Sequence, residues 1–208
     1  MKAFWGKRLA MMLGGLVVLA AGIALFRLPR YGNDPFTGMC FAISDAFGVS
    51  LGLVEVCVNG VLFLLMLALA RRRIHIGTVL NTFCLGYLVD FFVRLFTLGG
   101  WPQGVLLRTA LCAAALLVTS LGCSLYFTAN LGVSPYDALS FILDKATPMP
   151  FAACRVLTDA ACVLACAAFH GIIGVGTVAS AFGMGPIIAF FNKRVSGPLL
   201  WQGETYGV

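Results

Sequence analysis

The stretch Tyr31–Gly38, YGNDPFTG, returns in altered form one hundred residues later as Leu131–Ala138, LGVSPYDA. Both contain G-x-x-P, both place a helix-capping residue type before the proline, and both follow a long apolar run. Asp34–Pro35 and Ser134–Pro135 read as an N-cap followed by proline at the first helical position, where a missing N–H costs nothing. Gly32 and Gly132 suit the chain reversal that precedes each cap. Asp137, three residues past Ser134, forms a short-armed capping box. Each motif therefore opens a helix, and the surrounding sequence decides what kind.

The chain has 208 residues, 61% of them hydrophobic and 11% charged, with a mean hydropathy of +0.98. This composition cannot give a soluble domain its polar surface. The uncharged runs Leu9–Phe26, Thr109–Leu131 and Gly171–Phe191 hold 18, 23 and 21 residues. Each can cross, or nearly cross, a hydrocarbon core of about 30 Å as a helix. Six crossings are expected at about 9–28, 51–70, 75–97, 105–129, 151–170 and 174–191. The basic N-terminus with its apolar run is expected to be the first span, since no small-x-small cleavage site leads into a soluble domain. Segments 35–47 and 135–146, the two helices that the motifs open, reach only about 18 Å. They are too short to cross and are expected to be broken, interfacial or re-entrant.

The net charge of +6 comes from basic residues lying mainly between apolar blocks. There they act as topology signals and headgroup contacts, which disfavours a nucleic-acid surface. With the N-terminus in the cytoplasm, ten fall on the inner side: Lys2, Lys7, Arg8, Arg71, Arg72, Arg73, Lys145, Arg155, Lys193 and Arg194. Arg27, Arg30, Arg94 and Arg108 fall on the outer side. This bias predicts a multi-pass membrane protein with both termini cytoplasmic.

At an offset of one hundred, Gly22, Phe26, Gly32, Pro35, Phe36 and Phe41 meet Gly122, Tyr126, Gly132, Pro135, Tyr136 and Phe141. After a one-residue deletion, IGTVLNTFCLGYLVDFF from Ile76 meets VGTVASAFGMGPIIAFF from Val175, so Gly77 matches Gly176. Ordered glycine, proline and aromatic matches indicate duplication. The predicted repeats are 1–100 and 101–208. Three spans per half invert the second, giving an all-α polytopic membrane protein with an inverted 3+3 repeat and two additional short helices.

Glu55, Asn59, Asp90, Arg155 and Asp159 interrupt apolar segments, where an unpaired charge is expensive. Glu55 matches Arg155 and Asn59 matches Asp159, so both halves keep polar groups at the same two positions. A spacing of four puts each pair on one helical face. The substrate or pathway candidates are Asp34, Glu55, Asn59, Ser134, Asp137, Arg155 and Asp159. Gly32, Pro35, Gly132, Pro135, Gly77 and Gly176 are read as structural. The competing reading pairs Arg155 with Asp159 or a neighbouring helix and leaves Asn59 a bundle hydrogen bond. Asp90 is expected to pair locally with Arg94, and Gly86, Gly183 and Gly185 to allow close helix packing. The eight cysteines read as buried, reduced small hydrophobes without metal, and His75 and His170 as interfacial. No nucleotide, metalloprotease or hydrolase motif is present, so no enzymatic activity and no cofactor are expected.

The paired motifs and the two G-T-V segments resemble the YczE/YitT-type family of bacterial integral membrane proteins, and its short YczE-like branch in particular. Asp34 stands where the family more usually has a small or hydroxyl residue, as at Ser134. The resemblance implies location and repeat architecture, not a substrate. The leading expectation is a small secondary transporter or permease whose helix starts favour an anionic solute. A membrane accessory or scaffold protein is the alternative, and an intramembrane enzyme the third.

Overall fold

The computed structural model describes residues 2–69, 71, 74–100, 103–149 and 151–201. Arg72 and Arg73 of the basic run, and the C-terminal tail 202–208, lie outside the described residues. The described chain is all helical: α1 Lys2–Arg27, α2 Pro35–Phe47, α3 Leu51–Leu69, α4 Ile76–Thr97, α5 Val105–Ala129, α6 Pro135–Ala146, α7 Phe151–Ala168 and α8 Val175–Phe191. Beyond α8 the helix loosens into a π segment, Asn192–Ser196, and ends in α9, Gly197–Trp201.

Among the described residues five stretches are long and apolar enough to cross a membrane: Phe4–Arg27, Leu51–Leu69, Ile76–Thr97, Val105–Ala129 and Val175–Leu200. The expected crossing at 151–170 is the shorter α7, 18 residues carrying Arg155 and Asp159. At about 1.5 Å per residue α7 reaches about 27 Å; it is not among the five stretches that are long and apolar enough, so five of the six expected crossings are matched. Leu106, Phe182 and Leu164 are 86%, 78% and 72% exposed, as lipid-facing side chains are and core side chains are not.

The centre of the bundle is the crossing of α1 and α5. A Cβ on Gly22 would fall 2.5 Å from the Thr119 amide nitrogen, and one on Gly122 would fall 2.4 Å from that of Leu19. Gly15 meets Tyr126 in the same way, so the two helices run antiparallel in near backbone contact. Each helix start also caps the other helix's end. Arg8 Nε donates to Ala129 O (2.8 Å), and Arg108 Nε donates to Pro29 O (2.7 Å). These arginines stand one hundred residues apart; Arg8 satisfies the last carbonyl of α5, and Arg108 a carbonyl in the turn that follows α1.

The two motif turns dock crosswise. Gly77 N–H, at the start of α4, donates to Leu131 O in the second motif (2.8 Å). Gly176 N–H, at the start of α8, donates to Tyr31 O in the first (2.7 Å). A Cβ on Gly77 would lie 2.7 Å from that Leu131 oxygen, and one on Gly176 would lie 2.4 Å from Gly32 O. The glycine of each G-T-V segment therefore admits the backbone of the other half's turn. Gly32 and Gly132 hold φ of +89° and +121°, values that side chains resist.

Asp90 does not serve Arg94. Its carboxylate accepts from the Leu51 and Gly52 amides (3.3 and 2.8 Å), capping α3 from across the α3–α4 interface. The bare N–H groups of a helix start outcompete a local side-chain pair. Asp90→Ala is expected to destabilise the protein by about 1–2 kcal/mol, as loss of a cap does, read as a lowered thermal midpoint in detergent.

Two further expectations change. Cys57 and Cys84 are exposed, whereas Cys40, Cys112, Cys154, Cys162 and Cys166 are buried; all eight are free. A Cβ on Gly185 would meet nothing within 4 Å, and one on Gly183 only an ordinary contact, so neither marks a close crossing. Beyond α8, Asn192 Oδ1 accepts from Ser124 Oγ (2.6 Å) and Thr128 Oγ1 (3.2 Å) of α5.

Candidate functional site where the short helices meet

Both caps form as the motifs require. Asp34 Oδ1 accepts from the Thr37 amide (3.1 Å), and Ser134 Oγ accepts from the Asp137 amide (3.0 Å). The Ser134 hydroxyl in turn donates to Asp137 Oδ2 (2.8 Å), so the box closes through the side chain and not the backbone. Pro35 and Pro135 occupy the first turns.

The residues after the two prolines touch. The Phe36 and Tyr136 rings stack with centroids 4.5 Å apart and planes 23° from parallel. The Tyr136 hydroxyl donates to Asp159 Oδ1, in the middle of α7. From this junction the short helices leave in opposite directions. A Cβ on Gly38 of α2 would lie 3.9 Å from Cys166 Sγ, and the Ala42 methyl packs where Gly171 would carry a Cβ, beyond the end of α7. On α6, Ser140 meets Thr158 (3.3 Å), and Thr147 lies 3.9 Å from Cys154 near the beginning of α7. The two helix starts thus face each other beside mid-α7.

Around the junction, Arg155 Nη1 donates to Asp137 Oδ1 (2.6 Å), and its Nε lies 3.5 Å from Asp159 Oδ1. Its guanidinium also sits over the Tyr136 ring, 4.7 Å from the centroid. Four candidates, Ser134, Asp137, Arg155 and Asp159, therefore form one connected cluster. Asp34 lies within electrostatic reach of Arg155 and Asp159. Glu55 and Asn59 do not join the cluster by a hydrogen bond. They are 1% and 2% exposed, and Glu55 Oε2 and Asn59 Oδ1 have no partner among the described residues. Glu55 Oε2 instead points at α4, 2.9 Å from where Gly86 would carry a Cβ.

Tyr136 was legible only as an aromatic match. The signal was the hydroxyl that distinguishes it from Phe36. Tyr126 carries the same difference from Phe26, and its buried hydroxyl has no partner among the described residues. The helix starts are filled by the chain's own caps, and the carboxylates of Asp34, Asp137 and Asp159 outnumber the Arg155 guanidinium. Such a junction can exchange Arg155 between carboxylates, or hold a polar group that replaces one of them.

Apolar crossings, close glycine-mediated helix contacts and a polar junction inside the bundle define a polytopic α-helical membrane protein. The chain belongs to a family of unknown function, DUF6198, whose model matches residues 6–193. An uncharacterized protein of Haemophilus influenzae is 23% identical over 190 residues, covering 91% of this chain and 85% of its own. The uncharacterized protein YyaS of Bacillus subtilis is 23% identical over 79% of this chain and 82% of its own. The uncharacterized membrane protein YczE of the same organism is 24% identical over 85% and 81%. No solved structure matches the chain.

Proposed function

We propose that the protein is a small secondary transporter or permease, built as an inverted 3+3 repeat of 1–100 and 101–208 in which α7 completes the second set of crossings. One observation carries this reading: two capped short helices start face to face beside the middle of α7 and diverge toward its opposite ends. Broken helices meeting inside a repeat protein are the usual frame of a solute pathway. The antiparallel α1–α5 crossing and the reciprocal Arg8 and Arg108 caps support the inversion. The distant likeness to the protein named YczE agrees with the resemblance carried by the motifs. In this reading the protein lies in the bacterial inner membrane with both termini cytoplasmic and performs no catalytic step.

Solute uptake by proteoliposomes across a metabolite panel tests the proposal. The wild type is expected to accumulate at least one small polar solute, and Asp159→Asn to slow that uptake about tenfold or more, as loss of a charged hydrogen bond does. Wild-type rates from Asp159→Asn would remove Asp159 from the pathway. No uptake of any solute would favour an accessory or scaffold protein, the reading that the complete pairing of Arg155 also fits.

A further inference from the structure

The first half of the chain holds a carboxyl that the junction does not use. Glu55 and Asn59 stand one turn apart on α3, and both are all but fully buried. Glu55 Oε2 and Asn59 Oδ1 each lack a hydrogen-bond partner among the described residues. Both atoms are acceptors, so what the place lacks is a hydrogen to accept.

The repeat makes this lack specific to the first half. The equivalent positions in the second are Arg155 and Asp159, and Asp137 stands where the first half has Thr37. There the cation lies between two carboxylates. Around Glu55 the signs do not balance. Asp34 in the first motif turn and Asp90 on α4 are the charges that act on it, and both are acidic. Each caps a helix start, a position that favours negative charge. The Cys40 thiol of α2 is within electrostatic reach as well. α6 also packs on α3 and carries Tyr136, Asp137, Asp144 and Lys145. Among the described residues no ion pair reaches Glu55.

A charged Glu55 would be a buried anion beside anions, and a carboxyl so placed avoids that cost by keeping its proton. A metal ion fits the place poorly. A Cβ on Gly86 would fall 2.9 Å from Glu55 Oε2 and 3.0 Å from its Cβ, so α4 closes on the carboxyl and leaves no space for a coordination shell on that side. A proton needs no standing cavity. Glu55 is four residues into α3, about 6 Å along it, so proton exchange asks only that α3 and α4 part near that end.

We propose that Glu55 is a proton-binding site and that its proton crosses together with an anionic solute held at the junction. The coupling rests on the transporter reading above, whereas the proton site does not. Asp34 links the two places, being within electrostatic reach of Glu55 and of Arg155 and Asp159. An anion that draws Arg155 off its carboxylates adds negative charge beside Asp34 and favours a proton on Glu55. By reciprocity, the proton favours the anion.

Infrared spectra of the purified full chain, in a maltoside detergent that has no carbonyl group, test the proton site. The wild type is expected to show a protonated-carboxyl band in neutral buffer with a component that fades in alkaline buffer. Glu55→Gln should lose that component. The variant exchanges a neutral acid for a neutral amide of the same size, so its thermal midpoint in neutral buffer should be no lower than wild type. That separates a lost proton site from lost folding. The site is overturned if the two neutral spectra agree in this band, or if the component persists in alkaline buffer. Coupling is read in proteoliposomes with the solute that the metabolite panel returns. An acid-outside gradient of about one pH unit should raise wild-type accumulation by up to about tenfold for one proton per solute. Glu55→Gln should lose this response. Wild-type uptake indifferent to the gradient, or a response that survives in Glu55→Gln, overturns the coupling. An empty panel overturns the transporter reading and the coupling with it, and the infrared result still decides the proton site.

Discussion

Gly122→Val should abolish recovery of monodisperse, folded protein, whereas Gly185→Ala should leave it intact. A side chain at Gly122 meets the Leu19 amide nitrogen at 2.4 Å and its Cα at 2.5 Å, and these are backbone atoms of a second helix that cannot rotate away. The α1–α5 crossing would have to open. That would separate Gly22 from Thr119 and draw Arg8 and Arg108 off the carbonyls they cap. Overpacking usually costs about 1–3 kcal/mol, and a main-chain collision lies at or above the top of that range. Gly185 meets nothing within 4 Å, so alanine there should be neutral or stabilise by up to about 1 kcal/mol through helix propensity. Size-exclusion profiles and thermal midpoints in detergent read both effects. A folded Gly122→Val protein with an unchanged midpoint would refute the near-contact of α1 and α5.

What the sequence disclosed follows the range of the forces involved. Asp34–Pro35 and Ser134–Pro135 announced their helices because a cap acts within one turn. The glycines of the two G-T-V segments were visible as matches, but their partners were not. Gly77 receives Leu131 and Gly176 receives Tyr31, contacts that no local pattern encodes. In the sequence Arg8 and Arg108 show only the side on which they fall, and their work at each other's helix ends is tertiary. Asp90 went to α3 for the same reason. The exposure of Cys57 and Cys84 was hidden for another reason: a helix apolar all round shows no periodicity that separates lipid from core. In the candidate site the charges stand out against apolar neighbours, while Tyr136 does not, because its hydroxyl is not costly until its surroundings are known.

Arg155→Leu should be the most damaging change at the junction. The guanidinium serves Asp137 at 2.6 Å and Asp159 at 3.5 Å, and it covers the ring of Tyr136, which stacks on Phe36 and so ties α6 to α2. Its removal leaves two carboxylates facing each other, with Asp34 within electrostatic reach. Breaking a fully buried pair costs about 3–5 kcal/mol. The Arg155 side chain is 37% exposed, so about 2–3 kcal/mol is expected, read as a lowered thermal midpoint. Arg155→Lys keeps the charge but not the fork, and should lose less. The triple variant Arg155→Leu, Asp137→Asn, Asp159→Asn removes the uncompensated charge and should recover much of the loss. A single variant no less stable than the triple would show that the pairing contributes nothing electrostatic. Recovery to the wild-type midpoint would show that the fold does not need these charges. Stability would then not account for them, since an apolar core of the same shape would serve it as well, and the proposed solute pathway would be the reading that does.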